Sequence, residues 1–163
     1  MIHAQATFGG IGESCITAIE ALNVMYDEDL IGNSERVGAH LLERMKALQV
    51  KYPKLIKDVR GKGLMIGLEF QDFSQTLPAL LRPMVAMLDD KLKGSLSGFV
   101  GALLLRDYNV LVAFTEYNRN VIRLEPPLIC TMEQADEFVA ALDKLLGRGV
   151  TAIVKDFIVS QVA

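Results

Sequence analysis

The most constraining feature of the sequence is a short stretch, residues 58–70, in which two glycines flank a lysine and an apolar run follows at once. Gly61 and Gly63 permit backbone φ angles that a Cβ atom would forbid. The run from Leu64 to Phe70 alternates imperfectly between apolar and other side chains and ends on an aromatic ring. Such a pattern is typical of a strand with a buried face. The stretch therefore predicts a tight turn that leads into a core strand.

The rest of the sequence predicts helices around a few strands. Apolar residues recur at helical spacing over 12–26, 30–48, 84–105, 135–146 and 150–158, and short strands are expected at 110–114 and 121–124. An acidic cluster at 27–29 is placed to start the second helix, and Pro53 ends that helix. Thr131 and Gln134 form a capping box, and Gly147 ends the helix that follows it. A turn of helix is expected at 77–81.

These elements predict one α/β (α+β) domain over residues 1–163, with a small, mostly antiparallel sheet covered by helices. Residues 1–52 form a glycine-rich segment and connecting helices, and residues 53–163 form the small α/β unit. A hydrophobic content of 51% supports a real core and excludes disorder as the dominant state. With a net charge of -3 and no basic block, neither nucleic acid nor a membrane is expected as a partner.

Two cysteines, Cys15 and Cys130, are too few for a disulfide framework. Both have apolar neighbours, so we expect two buried free thiols in a reducing compartment. The chain begins without the basic and apolar regions of a secretory signal. A cytoplasmic location is therefore expected.

Residues 3–10 place a threonine, Thr7, beside a glycine-rich bend that leads into a helix. A helix N-terminus exposes free N–H groups and a partial positive charge, which together favour an anion. Two alternatives are a plain capping role and a nucleotide site at Gly9-Gly10-Ile11-Gly12. The nucleotide alternative is disfavoured because no strand precedes the glycines and no ribose-binding acid is evident.

Arg123 lies inside the apolar strand expected at 121–124. Burying an unpaired guanidinium is costly, whereas a guanidinium that faces a pocket can clamp a carboxylate through two hydrogen bonds. The alternative is a strand-edge arginine in an ion pair with Glu125 or Glu69. The sequence alone leaves both interpretations open.

Three segments, taken together and in this order, resemble the class III aminotransferases, a family that includes the ornithine, acetylornithine, 4-aminobutyrate and putrescine aminotransferases. They are residues 7–10 (Thr-Phe-Gly-Gly), residues 59–64 (Val-Arg-Gly-Lys-Gly-Leu) and Ile122-Arg123 followed by residues 126–128 (Pro-Pro-Leu). The second and third are the more specific. The resemblance covers most of the chain.

The resemblance implies the small C-terminal domain of a fold type I enzyme that uses pyridoxal 5'-phosphate (PLP). Thr7 matches the threonine that binds the cofactor phosphate of the partner subunit in a homodimer. Arg123 matches the arginine that receives the substrate carboxylate. No catalytic residue and no metal ligand is assigned. One departure is Ile11-Gly12-Glu13, where the family usually has Asn-Pro after the glycines.

The resemblance also implies that the PLP-anchoring large domain, with its Schiff-base lysine, is absent from this chain. The chain is then expected to be inactive alone, as a fragment of an enzyme that moves an amino group from an amine or ω-amino acid to a 2-oxo acid. The alternative function is a non-catalytic α/β module for protein association, because a missing half should leave exposed apolar surface.

Overall fold

The computed structural model describes residues 11–72 and 95–162, with two long helices at the start. The elements are α1 (Gly12–Asp27), α2 (Leu30–Lys51), β1 (Ile56–Lys62), β2 (Met65–Phe70), α3 (Leu96–Tyr108), β3 (Ala113–Phe114), β4 (Val121–Leu124), α4 (Met132–Leu146) and α5 (Val150–Val162). The described strands form one antiparallel sheet in the order β1-β2-β4-β3. The predicted fold class, a small antiparallel sheet with helices, is confirmed.

The core lies between one face of this sheet and the helices α2 to α5. Alternate residues of β2 and β4 supply the sheet side of the core, including Ile66, Leu68 and Ile122. Helix α2 contributes the stripe of apolar residues that its sequence predicts: Val37, Leu41, Met45 and Leu48 are all buried. Because this stripe follows the helical repeat, burying it against the sheet fixes the rotation of α2 about its own axis.

The predicted turn forms at Gly63, whose φ of +53° lies in the left-handed region. The role predicted for Gly61 is wrong, because it pairs with Ile66 inside β1 and its φ is not left-handed. It is instead a site of close approach, since a Cβ there would lie 2.3 Å from the carbonyl oxygen of Met65. Strand β1 itself was not expected, because only two of its seven residues, Ile56 and Val59, are buried.

The long helix predicted over 84–105 is wrong as a single element. Helix α3 begins at Leu96, because Ser95 has an extended backbone with φ -112° and ψ 105°. The part of the prediction over 84–94 lies outside the described residues, as does the helical turn predicted at 77–81. None of the described helices has the length and hydropathy needed to cross a membrane.

The buried strand predicted at 110–114 is also too long. Only Ala113–Phe114 pairs with β4, and Leu111 is 81% exposed. Val110 and Val112 are partly buried against the core, and the run borders two cavities at the edge of the sheet. Apolar composition predicted burial here, although the structure leaves part of the run uncovered.

The final helices agree with the sequence in extent and differ in detail. The capping box at Thr131 and Gln134 is present, with both reciprocal hydrogen bonds formed. Gly147 follows α4 in a right-handed conformation, and Gly149 is the residue with positive φ. The prediction of two buried thiols holds for Cys130 and is wrong for Cys15, which is exposed on α1.

Helix α2 touches the β1–β2 turn backbone to backbone at Gly38, and this contact generates a stability prediction. A Cβ at Gly38 would lie 2.2 Å from the carbonyl carbon and oxygen of Gly63. We expect Gly38→Ala to lower the free energy of unfolding by about 1–3 kcal/mol, because the helix and the turn must separate. The measurement is the urea midpoint.

Gly12→Ala is the matched control. A Cβ at Gly12 meets nothing within 4 Å, and alanine is the better helix former. The urea midpoint of this variant should stay the same or rise. Equal midpoints for Gly38→Ala and Gly12→Ala would contradict the close approach.

Candidate functional site

A cavity of about 710 Å³ opens between the end of β4, the segment 110–113 and the helices α2 and α4. Its walls are predominantly apolar, and they are formed by Leu41, Val110, Leu111, Val112, Ala113, Leu124, Pro126, Pro127, Ile129, Cys130, Ala135 and Phe138. The polar lining residues are Arg123, Glu125, Thr131 and Gln134. Thr131 and Gln134 already bind each other in the capping box. The charged pair is therefore the chemically available part of the lining.

Strand β4 presents Arg123 on the face opposite its buried neighbours Ile122 and Leu124. The residues paired with it across the sheet are the small Gly67 on β2 and Ala113 on β3. Directly paired residues point to the same face of a sheet, so the arginine has no bulky neighbour beside it in its row. This placement leaves room for the guanidinium at the edge of the cavity.

The ion pair of Arg123 is loose. Its Nε lies 3.7 Å from Oε1 of Glu125, and 48% of the arginine side chain is exposed. Hydrogen bonds between N–H and oxygen are normally 2.7–3.2 Å long, so this contact is a charge pair without a close hydrogen bond. The structure thus brings Arg123 to the cavity and also next to Glu125, one of the two partners considered from sequence.

The other proposed partner, Glu69, is bound elsewhere. Its two carboxylate oxygens accept hydrogen bonds from Lys57 Nζ at 2.8 Å and from Arg60 Nη1 at 2.7 Å. These two bonds, with a smaller one from Asn118, lower the pKa of Glu69 to about 2 although the side chain is only 11% exposed. The structure pairs Glu69 with Lys57 and Arg60, and Arg123 with Glu125, so the pair between Glu69 and Arg123 considered from sequence does not form.

Lys57 was missed by sequence reasoning because strand β1 was not expected. The register between β1 and β2 shifts between Ile56 and Asp58. Lys57 is the extra residue at that irregularity, and its ammonium group reaches Glu69 there. A lysine four positions before Gly61, where the turn is expected to begin, gives no local signal of such a contact.

Asn33, on the first turn of α2, was also missed. Its side-chain amide donates to the carbonyl oxygens of Leu128 at 2.7 Å and Cys130 at 3.0 Å. These carbonyls belong to the turn that follows the two prolines and forms part of the cavity wall. The residues in contact are 95 and 97 positions apart in the chain, so no local pattern could have revealed them.

Thr7, the predicted cofactor-binding residue, lies outside the described residues, and its placement relative to Arg123 stays a prediction. The described residues that line the cavity include no lysine. They suit a carboxylate with an apolar body and do not fit the covalent attachment of PLP. Within the described parts of the chain, no group of three His, Cys, Asp or Glu residues could hold a metal ion.

Helix α1 has an uncovered apolar face. No residue of α1 is buried. Ile16, Ile19, Leu22 and Tyr26 recur at helical spacing, and each is more than half exposed. Contiguous exposed apolar surface usually marks an interaction site.

Comparison with known proteins decides the family. The sequence profile described as Aminotransferase class-III matches residues 3–146, which include the glycine-rich segment, the β1–β2 turn, and Arg123 with its prolines. The chain belongs to the class III aminotransferases. The resemblance predicted from the three segments is confirmed.

Three relatives illustrate the similarity of this class III aminotransferase chain to longer proteins. Aminotransferase PigE of Serratia sp. (strain ATCC 39006) is 26% identical over 168 residues, which cover 86% of this chain and 20% of that protein. A PLP-bound amine transaminase from an uncultivated Pseudomonas species is 31% identical with a TM-score of 0.64, covering 88% of this chain and 29% of that one. Acetylornithine aminotransferase of Elizabethkingia anophelis is 28% identical with a TM-score of 0.62, covering 88% and 30%.

The class III chain therefore spans about a fifth of the curated relative and less than a third of these solved structures. Its fold is that of the matching part of the PLP-dependent aminotransferases. The cavity beside Arg123 lies within the region that the family profile covers.

In this class III chain, Glu69→Gln should destabilise the fold at neutral pH, because Lys57 and Arg60 lose their shared carboxylate. The folded pKa of Glu69, about 2, lies below its ordinary value of 4.5. The stabilisation is therefore complete above about pH 4.5 and is lost as the pH falls through about 2. We expect a loss on the order of 2 kcal/mol at pH 7, discounted because both cations are half exposed.

The measurement is the free energy of urea unfolding as a function of pH. The difference between Glu69→Gln and the unchanged chain should shrink steadily below pH 4.5. Glu43→Gln, at an exposed position of α2, is the control and should show no such dependence. A difference that stays constant down to pH 2 would contradict the assignment of the low pKa.

Proposed function

We propose that this chain is the small C-terminal domain, with its connecting helices, of a PLP-dependent aminotransferase. The complete enzyme moves an amino group from an amine or ω-amino acid to a 2-oxo acid, and the chain alone is inactive. The observation that carries the proposal is the position of Arg123, a loosely paired guanidinium at the edge of an apolar cavity.

The role of Arg123 is to bind the substrate carboxylate. A planar guanidinium can donate two parallel hydrogen bonds to a carboxylate, which fixes the substrate in one orientation. The apolar walls, among them Leu124 and Phe138, offer a surface on which the apolar body of the substrate can pack. Glu125 Oε1 lies 3.7 Å from the Nε atom of Arg123. Binding of a substrate carboxylate therefore replaces a weak contact rather than a strong one.

PLP, when bound in the complete protein, supplies the electron sink for amino-group transfer. Among the described cavity residues no lysine is available to attach it, so the attachment belongs to another part of the enzyme. Thr7 is proposed to hydrogen-bond the cofactor phosphate of the partner subunit, which makes the enzyme a homodimer. The free thiol of Cys130 is compatible with a reducing, cytoplasmic environment.

The uncovered face of α1 supports this proposal and also a second one. Its apolar residues fit a helix that is covered by the cofactor-binding half of the enzyme. They fit equally a non-catalytic module that uses α1 to associate with another protein. The two functions differ in one property: only the aminotransferase gives a complete protein with PLP absorbance and turnover of an amino donor.

Arg123→Ala in the complete enzyme tests the role proposed for this arginine. The Michaelis constant for 2-oxoglutarate should rise by roughly tenfold to a hundredfold, because charge-assisted hydrogen bonds to the carboxylate are lost. The PLP absorbance should not change. Steady-state kinetics and the absorption spectrum provide the measurement.

Arg36→Ala is the matched control for Arg123→Ala. Arg36 is another half-exposed arginine, paired with Asp29 on α2 and absent from the cavity lining. Its removal should leave the Michaelis constant unaltered. An unchanged constant in Arg123→Ala would remove this arginine from the substrate site and with it the main support for the proposed function.

Thr7→Ala tests the role proposed for the threonine. It should raise the dissociation constant of PLP roughly threefold to tenfold, because one hydrogen bond to the phosphate is lost. The measurement is the PLP dissociation constant of the dialysed enzyme. Thr17→Ala is the control, because the Thr17 hydroxyl donates to the Glu13 carbonyl oxygen within α1. Equal cofactor affinity in all three proteins would exclude the phosphate role of Thr7.

A further inference from the structure

The first turn of α2 binds two separate turns of the chain through adjacent residues. Asn33 donates its side-chain amide to the carbonyl oxygens of Leu128 and Cys130. The hydroxyl oxygen of Ser34 accepts a hydrogen bond from the backbone N–H of Leu64 at 3.2 Å, in the β1–β2 turn. The start of α2 thus binds both the turn at residues 127–130, beside the cavity, and the β1–β2 turn.

The turn at residues 127–130 is the part of the chain that receives the contact from Asn33. It is closed by one backbone hydrogen bond, from the N–H of Cys130 to the carbonyl oxygen of Pro127 at 2.9 Å. It begins at the second of two consecutive prolines, Pro126 and Pro127, which lack the N–H groups that a neighbouring strand would bind. Asn33 satisfies two of its carbonyl oxygens at once, because a primary amide carries two donors on one nitrogen.

The same turn forms the cavity wall next to the arginine. Pro127, Ile129 and Cys130 line the cavity together with Arg123. Only three residues separate Arg123 from Pro127, so the position of the turn limits how β4 ends and where the wall stands. A shift of the turn would change the width of the cavity at the guanidinium.

We infer that Asn33 is a positioning residue for carboxylate binding: by holding residues 127–130 it fixes the wall against which Arg123 receives the substrate. The inference rests on the proposed function of Arg123. Asn33 itself is absent from the cavity lining, so it acts through the turn and not by contact with the substrate.

The test compares Asn33→Ala and Asn33→Asp in the complete, PLP-loaded protein. Asn33→Asp keeps the shape of the side chain but removes both donors and directs a carboxylate at two carbonyl oxygens. The control is Ser34→Ala, which removes the neighbouring contact to Leu64 and leaves the cavity turn untouched. Thermal unfolding of each variant verifies that it is folded at the assay temperature.

The first measurement is the rate of Cys130 alkylation by iodoacetamide, followed by mass spectrometry of the peptide. The Cys130 thiol is buried in the held turn, and burial raises its pKa, so it should react slowly. Both Asn33 variants should accelerate its alkylation by roughly tenfold, whereas Ser34→Ala should stay within about twofold of the unchanged protein.

The second measurement is the kinetics with 2-oxoglutarate. Asn33→Ala should raise the Michaelis constant roughly threefold to tenfold, with kcat within about twofold, because carboxylate binding is disturbed and the chemistry is not. Asn33→Asp should have the larger effect. In the background of Arg123→Ala, the substitution of Asn33 should add little, since the group that it positions is gone.

Unchanged alkylation of Cys130 in both Asn33 variants would overturn the inference, because the turn would then be held without this side chain. Faster alkylation with an unchanged Michaelis constant would also overturn it, leaving Asn33 with a purely structural role. If Arg123→Ala alone has no effect on the Michaelis constant, the proposed function fails. The alkylation rates would still show whether Asn33 holds the turn, so the two failures can be distinguished.

Discussion

The close approach of helix α2 to the β1–β2 turn is the constraint on which the rest of the structure depends. At Gly38 the helix meets the carbonyl of Gly63 at a distance that excludes any Cβ. This contact sets the height of α2 above the sheet, while the buried stripe from Val37 to Leu48 sets its rotation. With both fixed, the first turn of α2 can reach the backbone of two loops that are distant in sequence.

The charged side chains on the sheet divide into one tightly bonded group and one loose pair. Lys57 and Arg60 together occupy both oxygens of Glu69, which is the one buried carboxylate among the described residues. Among the described residues, Arg123 on the same face has one ion-pair partner, Glu125, which lies beyond hydrogen-bonding distance. Because the strong pairing is completed within the hairpin, the guanidinium at the cavity keeps its donors for another acceptor.

Features that depend on local pattern could be predicted from the sequence. The helical stripe of α2, the capping box of α4, the turn at Gly63 and the strand around Arg123 each have a signature within a few residues. Features that depend on tertiary contact could not. Strand β1 has too few buried residues to show a pattern. The break before α3 follows Gly94, and a glycine weakens a helix without fixing where the helix begins or ends. Asn33 contacts its turn from almost 100 positions away.

Helix α1 combines an uncovered apolar face with weak support of its own. It lacks a side-chain hydrogen bond at its N-cap and has no buried residue, and a helix of this length in water owes most of its stability to packing. In the proposed enzyme, the half that covers Ile16 and Ile19 would also supply free energy that keeps this helix wound. Assembly of that enzyme and folding of α1 would then be a single thermodynamic event.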